Sequence, residues 1–446
     1  MAAARGEFSS RFGFLMAASG SAVGLGNIWG FPTNTASNGG AAFLFTYLIL
    51  AFALGYPALM AELIIGRHTR SNAVAALKSI SSGKKSQFLA LAIGFVGILT
   101  VSLILSFYAI VSGWMMAFFL DPLSRVLGLA SVSQWLTTDA EIRNALFVIV
   151  FMVLTILIIT AGVKAGIEKW ASRLMPSLVG ILVLLILYVF TLPGAMDGLR
   201  AYLLPDFSRV TDPQLLINAM GQAFFSLSLG VGTMLVYGSY ISKDENLPVV
   251  GGLVALLDVG VAVLAGLLIL PAMYVAQESG VQIYDAAGEL IAGPGLIVSV
   301  LPALFNNMGP IGLLVAAAFF ALMTIASLTS SISMLEVPVA YSVENKGIPR
   351  PKAAIIVGAI ITSISLVIVF NFEPLFDMVR IFTTERSQPL LSLFICIFAV
   401  WIWRRSEVLE EIRQGSPEVE QGIFWKIWPF YVKFICPVAI LAVYFQ

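Results

Sequence analysis

Charge is what this sequence has least of. Only 11% of its 446 residues are Asp, Glu, Lys or Arg, against about a quarter in soluble domains, which excludes an ordinary water-facing globular surface. Acidic and basic residues number 25 each. A net charge of zero carries no information on nucleic acid, and no such partner is expected. Histidine occurs once, as His68, and cysteine twice, as Cys396 and Cys436. His68 falls in a loop and the cysteines in apolar stretches, so the cysteines read as packing residues and not as a disulfide or metal pair. With no nucleophile–base pair and no metal cluster, covalent catalysis is not expected. A signal peptide is not expected either: Arg5, Glu7 and Arg11 precede the first apolar run without a small-residue cleavage site, so that run is expected to stay in the chain.

What is present is hydrophobic length. Apolar residues make up 59% of the chain, gathered into stretches long enough to cross a bilayer. Eleven spans are expected, at roughly 11–37, 41–66, 88–120, 143–161, 166–191, 214–240, 246–275, 311–343, 352–371, 376–403 and 424–445. Placing the amino terminus in the cytoplasm puts most basic residues on that side. The opposite loops then hold only Arg125, Arg143, Arg200 and Arg209, an asymmetry that fixes the amino terminus inside and, with eleven spans, the carboxyl terminus outside. Two outer connections, 192–213 and 276–310, are long, and the second is expected to fold back as a lid.

Two spans are interrupted. "SGSAVGLGNIWGFP" (19–32) places Gly24, Gly26, Asn27, Gly30 and Pro32 within the first span. The sixth contains "FFSLSLGVGTMLVYGSY" (224–240), with Gly230, Gly232 and Thr233 in the same Gly-x-Gly-polar arrangement. Each glycine costs a helix about 1 kcal/mol relative to alanine. An unwound segment at mid-membrane exposes amides and carbonyls that lipid cannot satisfy, so it is tolerable where something polar fills the gap. Free amides suit a carboxylate and free carbonyls a cation. Small residues also allow close helix packing, but glycine breaks at corresponding places in two halves point to a secondary-transporter site. The spacing Gly24-x-Gly26-x-x-x-Gly30 is not a dinucleotide fingerprint, and no strand precedes it.

These two stretches, together with "NGGAAF" (38–43), "GQAFFSLSLGVG" (221–232) and "ASLTSSISM" (326–334), resemble the neurotransmitter:sodium symporter family from about residue 5 to residue 440. The resemblance implies an all-α polytopic membrane protein, a single transmembrane domain of about eleven helices. Two inverted five-helix repeats, about 11–191 and 214–403, carry an unwound first and sixth helix, and an extra helix follows at about 424–445. It also implies two sodium ions. One would take the carbonyls of Gly20 and Val23 with Ala326, Thr329 and Ser330; oxygen-only ligation suits a hard cation, although Thr and Ser in membrane helices also bond back to their own backbone. The other would take the Ala22 carbonyl, Asn27, Ser226 and Asp258. Many relatives have asparagine at this last position, and chloride-dependent ones hold the anion beside positions matching Tyr47, Gln222 and Ser226. Asp258 would supply that negative charge permanently, and it is expected to take up a proton for the empty return.

For the substrate, the resemblance implies an L-amino acid whose carboxylate meets the Leu25 and Gly26 amides and the Tyr108 hydroxyl. Relatives that carry amines lacking a carboxylate have aspartate where Gly24 stands. The side-chain pocket would be lined by Ile104, Tyr108, Phe225, Ser226, Ser228, Val231, Ser327 and Met334. Val231 replaces a phenylalanine of several relatives, so a large apolar or aromatic side chain is expected to fit. Arg5, Phe8, Tyr240 and Glu344 match the cytoplasmic gate. The usual outer-gate arginine is Gly30 here, with Asp377 as the matching acid, and Glu62 is expected to brace unwound backbone. Gly166 and Pro176 bracket nine residues at the start of the fifth span, a segment able to unwind and admit water. The expectation is thus a sodium-coupled symporter of neutral hydrophobic amino acids in the cell membrane, in contact with lipid and competent as a monomer. A proton-coupled carrier of the same architecture and a channel are the alternatives that the residues alone leave open.

Overall fold

The computed structural model of the protein describes residues 6–204, 212–284, 290–291 and 296–445. Among them helices dominate. Nine are long and apolar enough to cross a membrane: Ala41–Thr69, Lys84–Val126, Glu141–Thr160, Val163–Val189, Leu247–Glu278, Pro310–Lys346, Arg350–Val369, Phe372–Ile402 and Ile423–Ala442. The bent pair Arg11–Ala22 and Gly26–Ser37 makes a tenth. The eleventh expected span, the sixth in order, is the helix Pro213–Ser226 followed by Thr233–Gly238. Neither piece is long enough alone, because six residues between them are not helical. The outer connections also hold short helices, Ala195–Leu203 and Leu301–Asn307.

Local chemistry explains both breaks. The first helix starts at Ser10, whose hydroxyl accepts from the Gly13 amide at 3.0 Å, and stops where Val23 turns extended (φ −70°, ψ 104°). The chain resumes as one turn of π-helix, Gly26–Gly30, running into Phe31–Ser37 with Pro32 in its first turn. The two halves are bent by 56°. A Cβ on Gly24 would lie 2.7 Å from both Ser330 Oγ and Tyr108 OH, and one on Gly26 would lie 2.7 Å from the Phe225 ring. Glycine is required there by close approach as well as by weak helicity. In the sixth span Gly230 (φ +85°) and Gly232 (φ +79°) occupy the left-handed region, joined by Ser228 at φ +52°. A serine at that angle is unusual; its hydroxyl donates to the Ser21 carbonyl at 3.0 Å, tying one break to the other.

The two broken spans lie at the centre of the bundle. The seventh and eighth spans pack against the first, and the eighth also runs along the third. Tenth and eleventh spans pack together at the side, where Cys396 and Cys436 are both buried and free.

Candidate functional site

The backbone freed by the breaks is satisfied by named side chains, and these assemble the site. Glu62, fully buried in the second span, accepts from the Gly230 amide at 2.7 Å and the Leu235 amide at 3.1 Å. That is the bracing expected of it. Gln388 donates to the Leu229 carbonyl at 3.0 Å. In the first span the Gly24 amide donates to Asn27 Oδ1 at 3.1 Å, the Leu25 amide to Tyr108 OH at 3.0 Å, and Gln222 donates to the Gly26 carbonyl at 3.0 Å.

One group of oxygens gathers between the first and eighth spans. The Ser330 hydroxyl lies 3.3 Å from the Gly20 carbonyl and 3.2 Å from that of Val23. Thr329 behaves differently: its hydroxyl donates back to Ile325 and Ala326 at 3.1 and 3.0 Å. It nevertheless faces the first span, since a Cβ on Gly20 would lie 3.1 Å from the Thr329 Cβ. The same Cβ would lie 3.3 Å from Met175, next to Pro176, so the fifth span closes this group from one side. The donor set is all oxygen, as a hard monovalent cation requires.

A second group surrounds Asp258, which is fully buried in the seventh span. Its Oδ1 accepts from Asn27 Nδ2 at 2.7 Å and its Oδ2 from Ser226 Oγ at 2.8 Å. Tyr47 OH reaches Ser226 Oγ at 3.4 Å, and Gln222 receives Asn34 at 2.9 Å. No cationic side chain pairs with Asp258 among the described residues. A buried carboxylate without a counter-charge is expensive, so this carboxyl either holds a proton or meets a cation. Ala22, whose carbonyl was expected here, is buried at the end of the first half-helix.

The residues expected to line a substrate pocket are placed around the breaks. Tyr108 and Ile104 share one face of the third span and are buried; Phe225 covers Gly26. Val231 is buried in the break of the sixth span, and Met334 is buried in the eighth. The Ser327 hydroxyl is turned back to the Thr324 carbonyl at 3.0 Å.

On the side expected to be cytoplasmic the path is filled. The Phe8 amide donates to the Tyr240 carbonyl at 3.0 Å, and its ring packs edge-on against Tyr237 and Tyr240 at 5.9 and 6.0 Å. Arg5 lies outside the described residues. Glu344 accepts from the Asn72 amide and side chain, both at 2.8 Å. The Gly166–Pro176 segment is wound, as π-helix Val163–Glu168 continuing into Lys169–Val189. Its Glu168 holds the Ser9 amide at 2.8 Å, linking the fifth span to the start of the first. On the other side Asp377 meets Arg380 of its own helix at 3.2 Å, and the atom nearest to a Cβ on Gly30 would be Oε1 of Gln222 at 3.7 Å.

Two ionic clusters escaped sequence reasoning. Glu336, fully buried, accepts from Tyr240 at 2.6 Å and pairs with Arg350 at 2.5 Å. Glu411, in the short helix Arg405–Arg413, holds Arg67 at 2.7 Å, Lys243 at 2.6 Å and His68 at 3.1 Å. Burial works to raise the Glu411 carboxyl, but hydrogen bonds from His68 and Lys243 and the Arg67 charge bring it down to about 2. Nothing in the local sequence distinguishes Glu411 from its solvated neighbours. Glu336 lies in an apolar span, but its partner Arg350 is fourteen residues away, in the next helix.

The model of the Sodium:neurotransmitter symporter family matches residues 5–145 and 131–446. An uncharacterized sodium-dependent transporter of Bacillus subtilis, YhdH, is 34% identical over 98% of this chain and 96% of its own. A sodium- and chloride-dependent taurine transporter of Bos taurus is 30% identical over 74% of this chain and 59% of its own length. Among solved structures, the crystal structure of MhsT in complex with L-phenylalanine matches with a TM-score of 0.85 and 36% identity, covering 99% of each chain.

Proposed function

The chain belongs to the sodium:neurotransmitter symporter family, and from that premise we propose that it carries neutral hydrophobic or aromatic L-amino acids together with two sodium ions, without chloride and with a proton returning on Asp258. It is a sodium-dependent transporter of the membrane and not an enzyme, with the inverted-repeat bundle whose first and sixth helices are unwound. In the proposed arrangement the whole chain acts as one transmembrane domain, a monomer suffices, and the amino terminus faces the cytoplasm and the carboxyl terminus the outside.

Asp258 is the observation that carries this reading. A fully buried carboxylate, held by Asn27 and Ser226 between the two breaks, lacks a cationic side chain. Sodium would supply the missing charge, and no anion would then be needed beside Tyr47 and Gln222. The Gly20, Val23, Ala326, Thr329 and Ser330 oxygens would hold the second ion. The Leu25 amide and Tyr108 hydroxyl, now bonded to each other at 3.0 Å, would open to receive the substrate carboxylate. Glycine at position 24 leaves room for it. Val231, Ile104, Phe225, Ser228, Ser327 and Met334 would surround the side chain. The bound L-phenylalanine of MhsT supports a pocket of that size. Release inward requires Phe8, Tyr240 and Glu344, with Arg5, to separate and the Gly166–Pro176 segment to loosen over Met175.

The test is binding of the twenty amino acids to the purified chain, with and without sodium, followed by uptake into proteoliposomes with chloride replaced by gluconate. Sodium-dependent binding of phenylalanine, tryptophan or leucine and undiminished uptake in gluconate are expected. Preference for a small or charged amino acid, or uptake that needs chloride, overturns the corresponding part of the proposal.

A further inference from the structure

Away from the central breaks, a cavity of about 360 Å³ opens between the tenth span, the eleventh span and the helix Arg405–Arg413 that follows the tenth. Arg405, Lys426 and Lys433 line it, together with Trp425 and Phe430, and no acidic residue does. The guanidinium of Arg405 lies 5.3 Å over the Trp425 ring, and Lys433 Nζ lies 4.5 Å over that of Trp401. Among the described residues none of the three cations has a carboxylate partner. Other cations that lie against aromatic or polar surface at the margins of the bundle are paired, as Arg67 with Glu411, Arg350 with Glu336 and Arg125 with Asp121, whereas exposed ones such as Lys84 and Lys85 are simply solvated.

Lys433 lies within an apolar span, Ile423–Ala442, where a lysine is costly unless it reaches polar surroundings or an anion. The surface beside it is apolar and outward: Trp401 is 55% exposed and Phe430 57%. In a membrane-spanning bundle such a surface faces acyl chains. Three unpaired cations at the edge of a lipid-facing aromatic surface therefore call for a negative charge that arrives attached to hydrocarbon.

We propose that this cavity binds an anionic phospholipid, its phosphate held among Arg405, Lys426 and Lys433 and its acyl chains lying along Phe430 and Trp401. Aromatic rings under two of the cations keep them in place when no lipid is bound. A second copy of this chain seated on the same face would have to bring acidic groups of its own to the three cations.

The test uses the full-length protein in detergent, titrated with phosphatidylglycerol or phosphatidylcholine and read by native mass spectrometry. Phosphatidylglycerol is expected to be retained in preference to phosphatidylcholine. The variant R405Q/K426Q/K433Q should lose about a hundredfold in phosphatidylglycerol affinity, roughly fivefold per charge, while K84Q/K85Q, exposed charges elsewhere, should lose nothing. K426E alone, at an exposed position, should weaken retention at least fivefold and keeps the test informative if the triple variant does not fold. Equal retention of the two lipids, unchanged affinity in K426E and the triple variant, displacement by millimolar inorganic phosphate, or a dimer that excludes the lipid would each overturn the proposal.

Discussion

Replacing Asp258 by asparagine separates charge from hydrogen bonding at the proposed ion site. In the wild type both carboxylate oxygens accept, from Asn27 at 2.7 Å and from Ser226 at 2.8 Å. Asparagine keeps one acceptor for Asn27, and its amide can donate to Ser226 once that hydroxyl turns round. The shape and both contacts survive, so the substitution removes chiefly one negative charge. Opposite unit charges 4 Å apart interact by about 4 kcal/mol at an effective dielectric constant near 20, which corresponds to a roughly thousandfold weaker sodium affinity. The assay is thermal unfolding against sodium concentration, in a T329A/S330A background that leaves only this site. At about a hundred times the parent Kd, sodium stabilises by about 2.7 kcal/mol; after D258N the same concentration is about a tenth of Kd and the gain drops below roughly 0.1 kcal/mol. The sodium-dependent rise in Tm should therefore disappear. Added chloride should restore part of it, by returning a negative charge beside the ion. Uptake by the wild type should respond to internal pH, and that response should fade in D258N. Sodium affinity within tenfold of the parent after D258N would refute the reasoning, as would wild-type transport that requires chloride.

The other expectations follow from single contacts. S330A, which removes the hydroxyl lying 3.3 and 3.2 Å from the Gly20 and Val23 carbonyls, should weaken sodium-dependent uptake more than T329A, whose hydroxyl bonds within its own helix; equal effects of the two would contradict the asymmetry. G24A should already reduce amino-acid binding, because a Cβ there lies 2.7 Å from Ser330 Oγ and Tyr108 OH. G24D should abolish binding by adding a charge that repels the substrate carboxylate, and normal binding in G24D would place that carboxylate elsewhere. Glu411, lowered to about 2 from an ordinary 4.5, contributes stability that is present above pH 4.5 and is lost as pH falls toward 2. Wild-type Tm should thus fall more steeply than that of E411Q across this window, and parallel curves would remove Glu411 as the cause.

The sequence by itself determined the all-helical membrane class, the places of the apolar spans, the two breaks and two of the buried acids. Those signals are local: hydrophobic length, glycine where leucine would serve a simple span, and Asp258 and Glu62 within apolar runs. Of the eleven expected spans, nine are apolar helices long enough to cross a membrane and a bent pair makes a tenth, while the sixth is two shorter helices, Pro213–Ser226 and Thr233–Gly238, neither long enough alone. Tertiary structure alone decided which groups meet. Ser330 and Thr329 are adjacent and similar and both border the first span, yet one hydroxyl reaches across and the other bonds back to its own turn, because successive residues of a helix are turned by about 100° and meet different atoms of the neighbour. Glu411 is buried among Arg67, Lys243 and His68, from segments up to 344 residues away in the chain. No periodicity encodes that pairing. A helix writes its own geometry into neighbouring residues, whereas a buried ionic cluster depends on where separate helices end in space.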